Sequence, residues 1–377
     1  MRIAYSCAGE GFGHAGRMVA LYDDMSFSHE VILYVPEPVK AFVAKKLAAR
    51  QVSRPASPQP PVVIRSIPCF TFIKNKNRVE YIRTVFHSLR QVVHFYPAIQ
   101  RLARQLKKDR IQAVLSDFEP YLPWAARLAG IPVIQMNHPG IIRRYVDMDP
   151  RTWVAALVAT LMEGPWDKRL YVSFFGGDVG PVLRTELLSK PVRDEGFVAV
   201  NLKVESRKEI LPLLNAVPGL VYRLYPAPGA DFDEGLRNCT AVITNGGHQT
   251  LSEALALGKP VLSIPQRGQA EQELNARMLQ ASGRGLMVRK LEDLPNGLAR
   301  FLGQLDSFRK PAVIPVGFRF KDSRLELIRR INAILADFGS GAASAASAIA
   351  VVDYAADAKA ANGYDAGGKG GAARLAV

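Results

Sequence analysis

The sequence predicts an α/β protein made of two doubly wound, Rossmann-like domains. Three observations support this fold class. Short β-rich runs alternate with helical patterns through most of the 377 residues, the alternation occurs in two successive series, and the strand-like runs are mostly apolar, as expected for strands buried on both faces. Continuous apolar strands are typical of parallel sheets buried on both faces, with helices covering the sheet. The length of the chain also suits two cores better than one.

The first series is expected to form a domain over residues 1–184. Its predicted strands are RIAYSCA, HEVILYVP, AVLSD and IPVIQMN. Its predicted helices are GRMVALYDD, VKAFVAKKLAAR, YIRTVFHSLRQVVHFYPAIQRLARQLKK and YLPWAARLAG. This order predicts a parallel sheet with helices on both sides.

The second series is expected to form a domain over residues 185–338. Its predicted strands are GFVAVNL, GLVYRLYP, TAVITN and PVLSIP, and the helices among them include TLSEALAL and EQELNARMLQAS. The last helix is predicted as SRLELIRRINAILADF, and we expect it to pack either within the second domain or back on the first domain. Residues 339–377 are rich in Ala, Gly and Ser and lack the large apolar side chains that offset the entropy of ordering, so we expect a disordered tail.

Charge and cysteine content restrict the partners and the compartment. The 49 Lys and Arg exceed the 34 Asp and Glu, and the net charge of +15 favours anionic partners such as nucleotide phosphates or acidic lipid headgroups. No recognition motif for nucleic acid accompanies the basic residues, so we expect no such partner. The three cysteines are widely spaced, which is typical of a reducing compartment, and the first apolar run is too short for a signal peptide. The sequence contains no apolar run of about 18 residues. We therefore expect a cytoplasmic protein without a membrane span.

Two glycine-rich turns follow predicted strands, one in each domain. They are CAGEGFGHAGR in the first domain and NGGHQTLSEAL in the second. Parallel sheets bind ligands at the carboxyl ends of their strands, glycine lets backbone amides approach a ligand, and the start of a helix adds partial positive charge. Each turn is therefore suited to a diphosphate.

The first turn contains a formal G-x-G-x-x-G, GFGHAG, with Glu37 about 20 residues beyond it. This pattern is typical of NAD-dependent oxidoreductases, but alone it is a weak signal. It gives no reason for the second glycine turn, and it leaves His14 in the path of the phosphates. The dinucleotide hypothesis is therefore kept only as an alternative.

The second turn and the residues after it carry a resemblance to a known family. The stretch NGGHQTLSEALALGKPVLSIP resembles the donor-binding motif of GT-B glycosyltransferases, near the group that includes UDP-glycosyltransferases and the lipid II N-acetylglucosaminyltransferase. The positions in register are Gly247, Thr250, Glu253, Gly258 and Pro260. The resemblance covers nearly all of residues 1–338 and is strongest from Cys239 to Met278. It implies a GT-B architecture, in which two Rossmann-like domains face a cleft.

The resemblance implies an inverting glycosyltransferase of the hexosyltransferase class, with a UDP-sugar as co-substrate and no other cofactor. It assigns the donor nucleotide and its phosphates to Arg184, Asn245, Gly246, Gly247, His248, Gln249, Thr250 and Glu253, and the donor sugar to Gln269, Glu271 and Gln272. Glu253 would accept hydrogen bonds from the ribose hydroxyls. Asn245 stands where many UDP-glycosyltransferases have a phosphate-contacting histidine, and His248 follows three residues later, so either residue is a candidate for that contact.

Thr250 and Glu253 also have a purely structural explanation. T-x-x-E is a capping box, which stabilises the start of any helix by satisfying free amides. The two explanations are compatible, because a phosphate takes only some of the amides at a helix start.

A base on the opposite side of the cleft is expected at His14, in GFGHAGR. An imidazole titrates near neutral pH and suits the removal of a proton from an acceptor hydroxyl. Asp117, at the end of AVLSD, resembles the aspartate that plant enzymes pair with the catalytic histidine. The alternatives are a turn residue at position 14 and a helix N-cap at position 117. The residues predicted on the acceptor side are Gly11, Gly13, Glu119 and His138.

Two further segments have alternative explanations. Asp147 and Asp149 form a D-x-D, which binds a metal in another glycosyltransferase fold, whereas the GT-B resemblance implies no catalytic metal. RTWVAALVATLMEGPW is strongly apolar with basic residues on either side. It is either a buried helix or a helix that lies on an anionic membrane and offers the site a lipid-linked acceptor. The second option would place the protein at the inner face of the plasma membrane.

Three other functions stay open on the sequence alone. They are a nucleotide-sugar epimerase of the same architecture, an NAD-dependent oxidoreductase, and a non-catalytic sugar-nucleotide-binding subunit suggested by Asn245.

Overall fold

The computed structural model describes residues 1–52, 61–70, 74–75, 78–79, 81–147 and 149–340. Over these residues the chain forms two lobes, each built on a parallel β-sheet with helices on both faces. The α/β fold class with two doubly wound sheets is therefore confirmed. The expected tail lies outside the described residues, apart from its first two positions at the end of the last helix.

In the part of the first lobe that the structure describes there are eight strands and five α-helices. The strands are β1 (Arg2–Cys7), β2 (Glu30–Pro36), β3 (Val63–Ile67), β4 (Lys74–Asn75), β5 (Arg78–Val79), β6 (Ala113–Asp117), β7 (Val133–Asn137) and β8 (Lys168–Tyr171). The helices are α1 (Gly13–Ser28), α2 (Glu37–Val52), α3 (Tyr81–Lys108), α4 (Tyr121–Ala129) and α5 (Pro150–Glu163), with a 3₁₀ helix at Pro139–Tyr145. Six strands form a parallel sheet in the order β3-β2-β1-β6-β7-β8, and β4 pairs with β5 as a short antiparallel hairpin.

Burial explains why the central strands of this sheet are mostly apolar. All residues of β6 and β7 are buried, as expected for strands covered on both faces. One face packs against α1 and α2, and the other packs against α3 and α4.

The second lobe has five strands in the order β10-β9-β11-β12-β13, all parallel. The strands are β9 (Val198–Asn201), β10 (Tyr222–Tyr225), β11 (Ala241–Thr244), β12 (Val261–Ser263) and β13 (Gly285–Met287). The helices are α6 (Thr185–Leu188), α7 (Val204–Asn215), α8 (Phe232–Asn238), α9 (His248–Ala256), α10 (Ala270–Ala281), α11 (Leu294–Gly303), α12 (Leu305–Arg309) and α13 (Arg324–Gly339), with a 3₁₀ helix at Leu291–Asp293.

The last helix, α13, crosses back to the first lobe. Leu327 and Ile331 belong to the same buried cluster as Met18 of α1. At its start, the guanidinium of Arg324 lies 2.7 Å from the carboxylate of Asp24. The chain therefore closes on the lobe in which it began.

A shared apolar cluster joins the two lobes. We call it the interlobe core, and it consists of Ile141, Ile142, Ala159, Tyr171, Phe174, Phe175, Leu187, Phe197, Ala199, Tyr225, Leu236, Cys239, Val242, Leu251, Ala254, Leu255, Val261, Leu274 and Leu279. Because its members come from both sheets, the lobes face each other in a defined orientation.

The strand orders place a switch point in each sheet. In the first sheet β1 lies beside β6, and Cys7 is aligned with Asp117 at their carboxyl ends. In the second sheet β9 lies beside β11, and Asn201 is aligned with Thr244. Open α/β sheets bind ligands at such switch points, outside the carboxyl ends of the strands. The fold therefore predicts a ligand site between the carboxyl ends of β1 and β6 and those of β9 and β11.

Candidate active site

The two glycine turns face each other across a cleft of about 490 Å³. In the turn between β1 and α1, Gly11 has a φ of +74°, which glycine adopts at no steric cost. Gly13 begins α1, and a Cβ added to it would lie 3.8 Å from the Cβ of Gln249 in the second turn. The structure therefore brings together the two turns that were assigned to the acceptor and donor sides.

His14 lies in the first turn of α1 and lines the cleft. Its Nδ1 atom is 2.7 Å from Oδ1 of Asp117, whose side chain is fully buried. A carboxylate accepts but does not donate, so Nδ1 carries the proton and Nε2 keeps its lone pair. Arg17 approaches the same carboxylate oxygen at 3.5 Å. The result is an imidazole with a fixed tautomer, which suits a general base.

The start of α4 is stabilised by Glu119, not by Asp117. The amides of Tyr121 and Leu122 both donate to the Glu119 carboxylate, so the N-cap explanation of Asp117 is wrong. Glu119 also lines the cleft. Burial raises the pKa of Glu119 to about 7, against the opposing effect of the two amides.

Asn245 holds the second turn in place. Its Oδ1 accepts the amide of Lys203 at 2.9 Å, and its Nδ2 donates to the carbonyl of Ile264 at 3.1 Å. These bonds tie together the ends of β9, β11 and β12, so the side chain of Asn245, one of the two candidates for the phosphate contact, makes its hydrogen bonds within the protein. The next residue, Gly246, has a φ of +84°, and a Cβ there would lie 2.7 Å from Oγ of Ser263. Only glycine fits this position.

The N-terminus of α9 faces the cleft without a side-chain cap. Its N-cap residue is Gly247, and no side-chain hydrogen bond is made there. Thr250 lies inside the first turn and not at the N-cap, so the capping-box explanation of Thr250 and Glu253 is wrong. Gly247, Gln249 and Thr250 line the cleft. The first amides of the helix are therefore placed to donate to an anion.

Glu253 is buried and held by Arg184 through two hydrogen bonds. Nε of Arg184 lies 2.7 Å from Oε1, and Nη2 lies 2.6 Å from Oε2. Asp233 also pairs with Arg184 at 2.6 Å. Burial acts to lower the pKa of Arg184, but the bonds and charges of the two carboxylates raise it. Arg184 therefore fixes the orientation of Glu253, which differs from the direct phosphate contact that the sequence suggested.

His138 and His248 come from different lobes and stack on each other. Their ring centroids are 3.6 Å apart and their planes differ by 18°. Nε2 of His138 lies 2.8 Å from Oδ1 of Asn275, and Nε2 of His248 accepts the amide of Phe174 at 3.3 Å. Burial lowers the pKa of both rings, to about 3 for His138. Two neutral rings therefore join the lobes beside the cleft.

The residues assigned to the donor sugar lie around the start of α10. Gln269, Glu271 and Gln272 all line the cleft. The side chain of Gln272 is fixed by the amide of Gln266, which donates to its Oε1 at 3.0 Å. Glu271 lies 3.9 Å from Nε2 of His138, and partial burial between the lobes raises the pKa of Glu271. The three side chains thus share one wall of the cleft.

Two cations that line the cleft, Arg17 and Lys203, were missed in the sequence analysis. Arg17 follows His14 by three residues, so helical spacing could have placed both on one face. Lys203 comes just after β9, and its place at the carboxyl end of a strand could have identified it. Both bring positive charge toward the space between the turns.

The D-x-D residues have structural roles. Asp149 is the N-cap of α5 and accepts the amide of Arg151. Asp147 accepts the amide of Asp149 at 2.9 Å and pairs with Arg277 of the second lobe. Across the residues that the structure describes, no group of three or more His, Cys, Asp or Glu is arranged to hold a metal ion.

Comparison with known proteins decides the family. The model of the family described as Glycosyl transferase family 1 matches residues 1–227 and 217–306. The chain belongs to this family. An uncharacterised glycosyltransferase of Methanopyrus kandleri is 24% identical to it over 262 residues, which cover 59% of this chain and 76% of the relative. Another from Methanosarcina mazei is 24% identical over 343 residues, which cover 76% of this chain and 85% of the relative.

Solved structures show the same architecture. MurG of Acinetobacter baumannii has a TM-score of 0.51 at 14% identity and covers 88% of this chain and 99% of its own. The glycosyltransferase VinC, in complex with dTDP, has a TM-score of 0.51 at 15% identity, and the match covers 90% of this chain and 99% of VinC. The glycotransferase of kitacinnamycin has a TM-score of 0.53 at 16% identity, with coverages of 96% and 97%. The expected GT-B architecture is confirmed, and the protein is a GT-B glycosyltransferase.

The other enzyme classes receive no support from these findings. For the oxidoreductase, Glu37 would have to approach a bound ribose. Instead it begins α2, where its exposed side chain bonds Ser66 and Lys40. None of the described helices has the length and apolar character needed to cross a bilayer.

Proposed function

We propose that this glycosyltransferase moves a hexosyl group from a UDP-sugar to an acceptor hydroxyl, with inversion at the anomeric carbon. The observation that carries the proposal is the position of the His14–Asp117 pair opposite the start of α9, on facing walls of one cleft. In a direct displacement the acceptor oxygen and the leaving diphosphate lie on opposite sides of the anomeric carbon. A base and an anion site across a cleft match that requirement.

In this proposal the second lobe binds the nucleotide. The amides from Gly247 to Thr250 and the hydroxyl of Thr250 surround the diphosphate, where the helix dipole favours negative charge. Lys203 lines the same wall and adds a cation. Glu253 is buried behind this wall and held by Arg184, and it is assigned to the ribose hydroxyls on the resemblance, since a carboxylate keeps lone pairs beyond those that Arg184 and Gln249 use. We assign uridine as the nucleoside of the donor on family resemblance. Because VinC was solved with dTDP, thymidine is the alternative nucleoside to test.

We assign the phosphate contact to His248 and not to Asn245. Both polar groups of Asn245 are engaged within the protein. In contrast, Nδ1 of His248 has no partner among the described residues, and the ring lines the cleft. Because Nε2 of His248 accepts the amide of Phe174, Nδ1 carries the proton and is able to donate it to a phosphate oxygen.

The transfer step uses His14 as the base. Nε2 of His14 takes the proton from the acceptor hydroxyl while the acceptor oxygen forms a bond to the anomeric carbon. The bond from that carbon to the diphosphate oxygen breaks, and UDP leaves with the electron pair. Asp117 stabilises the imidazolium that forms, because its carboxylate lies 2.7 Å from Nδ1. The amides of α9 stabilise the charge that grows on the diphosphate.

The acceptor in this proposal is lipid-linked, and α5 presents it at a membrane surface. Four large apolar side chains of α5 are exposed to between 47% and 65%, namely Trp153, Val154, Leu157 and Leu161. Only three residues of this helix are buried, so α5 is not the buried helix that was the alternative. Another face of α5 lines the cleft through Ala155, Val158, Ala159 and Met162. One helix therefore separates the active site from an apolar outer surface.

The surroundings of α5 extend this outer surface. Trp124 of α4 is 45% exposed and lies beside Gly164, at the end of α5. Tryptophan is favoured at the boundary between water and lipid. Lys168 is exposed just beyond the helix, and the net charge of +15 favours an anionic surface. Together these features are suited to peripheral attachment at the inner face of the plasma membrane.

The transfer is tested with the full-length protein and radiolabelled UDP-glucose, UDP-galactose and UDP-N-acetylglucosamine, together with a lipid extract. The expected result is a labelled lipid whose new glycosidic bond has the opposite anomeric configuration to the donor, as read by NMR. Retained configuration contradicts the displacement step. Inversion at C2 of the free donor indicates an epimerase instead, and binding without turnover indicates a non-catalytic subunit.

The membrane surface is tested by sedimentation with vesicles. We expect the protein to sediment with vesicles that contain phosphatidylglycerol and much less with phosphatidylcholine alone. Leu157→Glu together with Leu161→Glu should abolish sedimentation without changing UDP affinity. Phe27→Glu is the matched control, because Phe27 is also a large exposed side chain but lies on α1. Equal loss in the control, or none in the α5 variant, contradicts this assignment.

A further inference from the structure

Phe118 stands out because it has a left-handed backbone conformation. Its φ is +59°, and the chain adopts this value immediately after β6 ends at Asp117. For a bulky aromatic residue such a conformation is an outlier that persists only where the surrounding structure enforces it. Strain of this kind is found preferentially at active sites.

The surrounding structure holds this conformation through Gln135. The amide of Phe118 donates to Oε1 of Gln135 at 3.1 Å, and Nε2 of Gln135 donates to the carbonyl of Glu163 at 2.5 Å. Gln135 itself is fully buried on β7. A buried amide that is satisfied on both sides is a rigid support.

The left-handed turn directs the Phe118 ring onto His14. The two rings are stacked, with centroids 5.9 Å apart and planes that differ by 11°. In a regular strand, consecutive side chains point to opposite faces. Asp117 and Phe118 could not then both contact His14. The turn at Phe118 breaks the alternation, so Asp117 bonds the imidazole edge and the Phe118 ring lies nearly parallel to the imidazole in an offset stack.

We infer that Phe118 is a positioning residue that fixes the plane of the His14 imidazole for proton transfer, and that its left-handed backbone exists for this purpose. The inference rests on the proposed role of His14 as the base. Asp117 sets which nitrogen carries the proton, and Phe118 sets the direction of the other nitrogen's lone pair. An aromatic face also stabilises the imidazolium that forms during the step. The rest of the ring packs against the interlobe core, which keeps it in place.

Four variants of the full-length protein separate positioning from folding: Phe118→Tyr, Phe118→Leu, Phe118→Ala and Phe118→Gly. The assay is UDP release from UDP-glucose, UDP-galactose and UDP-N-acetylglucosamine with water as the acceptor. We expect kcat to fall about 10- to 100-fold in the Leu, Ala and Gly variants, with KM for the donor within about twofold of the original value by the same reasoning. Phe118→Tyr keeps the ring and should retain most of the turnover.

The Gly and Ala variants are the decisive pair. Glycine adopts a positive φ without strain, so Phe118→Gly should melt at a higher temperature than Phe118→Ala. Both lack the ring, so both should lose turnover equally. Turnover that follows the melting temperature, or full turnover in Phe118→Leu, overturns the inference.

A spectroscopic readout keeps the inference testable apart from the proposed function. In protein labelled at histidine Cε1, the His14 resonance is assigned by its loss in His14→Gln. It should move in Phe118→Leu, which removes the ring current, and stay nearly unchanged in Phe118→Tyr. If the original protein releases no UDP but the resonance behaves this way, the proposed function fails and the stacking stands. A resonance that does not move in Phe118→Leu overturns the inference.

Discussion

The Nδ1 atom of His14 lies 2.7 Å from Oδ1 of Asp117, although the two residues are 103 positions apart in the chain. They meet because β1 and β6 are neighbours in the first sheet and end together at its switch point. A parallel sheet thus places a histidine from a glycine turn beside an aspartate from the end of another strand. The proposed role of His14 as the catalytic base depends on this contact.

Replacing His14 by alanine should remove the base and leave the nucleotide site intact. We expect the turnover to fall by roughly two to four orders of magnitude, which is the usual contribution of a general base. The affinity for UDP, measured by calorimetry, should stay nearly unchanged. His29→Ala serves as a control, because His29 bonds Asn332 instead of lining the cleft. Full turnover in His14→Ala would remove this residue from the mechanism.

Asp117→Asn should lower turnover by about 100-fold with little effect on size or packing. An asparagine can turn its amide group toward Nδ1 and donate to it, which would move the proton of the imidazole to Nε2. That nitrogen would then have no lone pair for the acceptor. The check is a comparison of kcat with the affinity for UDP. Turnover close to that of the original protein would show that Asp117 does not set the tautomer.

Glu253→Gln should weaken UDP binding by about tenfold or more, because hydrogen bonds to a charged acceptor are among the stronger ones. The same change leaves Arg184 with one carboxylate partner, Asp233. Arg184→Ala should destabilise the fold by about 3 kcal/mol, since it leaves a buried carboxylate without its cation. The double variant should recover part of that loss in urea unfolding. Unchanged UDP affinity in Glu253→Gln would leave this residue a structural role only.

Glu119 should make the stability of the protein depend on pH. Its pKa is raised to about 7 in the folded state, so the folded protein retains a proton that the unfolded chain has lost above about pH 4.5. The free energy of unfolding should therefore fall between about pH 4.5 and 7, by up to about 3 kcal/mol, and level off above that range. Glu119→Gln should lack this slope, and Glu209→Gln, an exposed change on α7, should keep it. Parallel pH profiles for all three proteins would contradict the buried, proton-binding state of Glu119.

Much of the architecture could be predicted from the sequence, because central parallel strands are apolar on both faces. In the two parallel sheets, the strands that were not predicted are β3, β8 and β13, and all three are edge strands. The short hairpin of β4 and β5 was not predicted either. Edge strands have fewer buried neighbours, and β8 begins with a lysine and an arginine while β13 begins with glycine. Their sequences therefore lack the continuous apolar run on which the prediction depended.

The glycine turns and the His14–Asp117 pair could also be predicted, since His14 follows and Asp117 ends a strand that was recognised. The stacking of His138 on His248 could not, because it depends on how the two lobes face each other. The left-handed conformation of Phe118 could not be predicted either, because a hydrogen bond to Gln135 on a neighbouring strand holds it. The contacts that Arg184 and Asn245 make within the protein could not be predicted for the same reason, because their partners lie 69 and 42 positions away.

The most direct test of the proposed donor site is a calorimetric titration of the full-length protein with UDP and with dTDP, repeated with Thr250→Val and Lys203→Ala. We expect that one equivalent of UDP binds, more tightly than dTDP, and that both variants weaken the binding. Lys203→Ala should also reduce its dependence on salt, because it removes a cation that lines the cleft. If neither nucleotide binds, or if both variants bind as the original protein does, the proposed donor site at the start of α9 is contradicted.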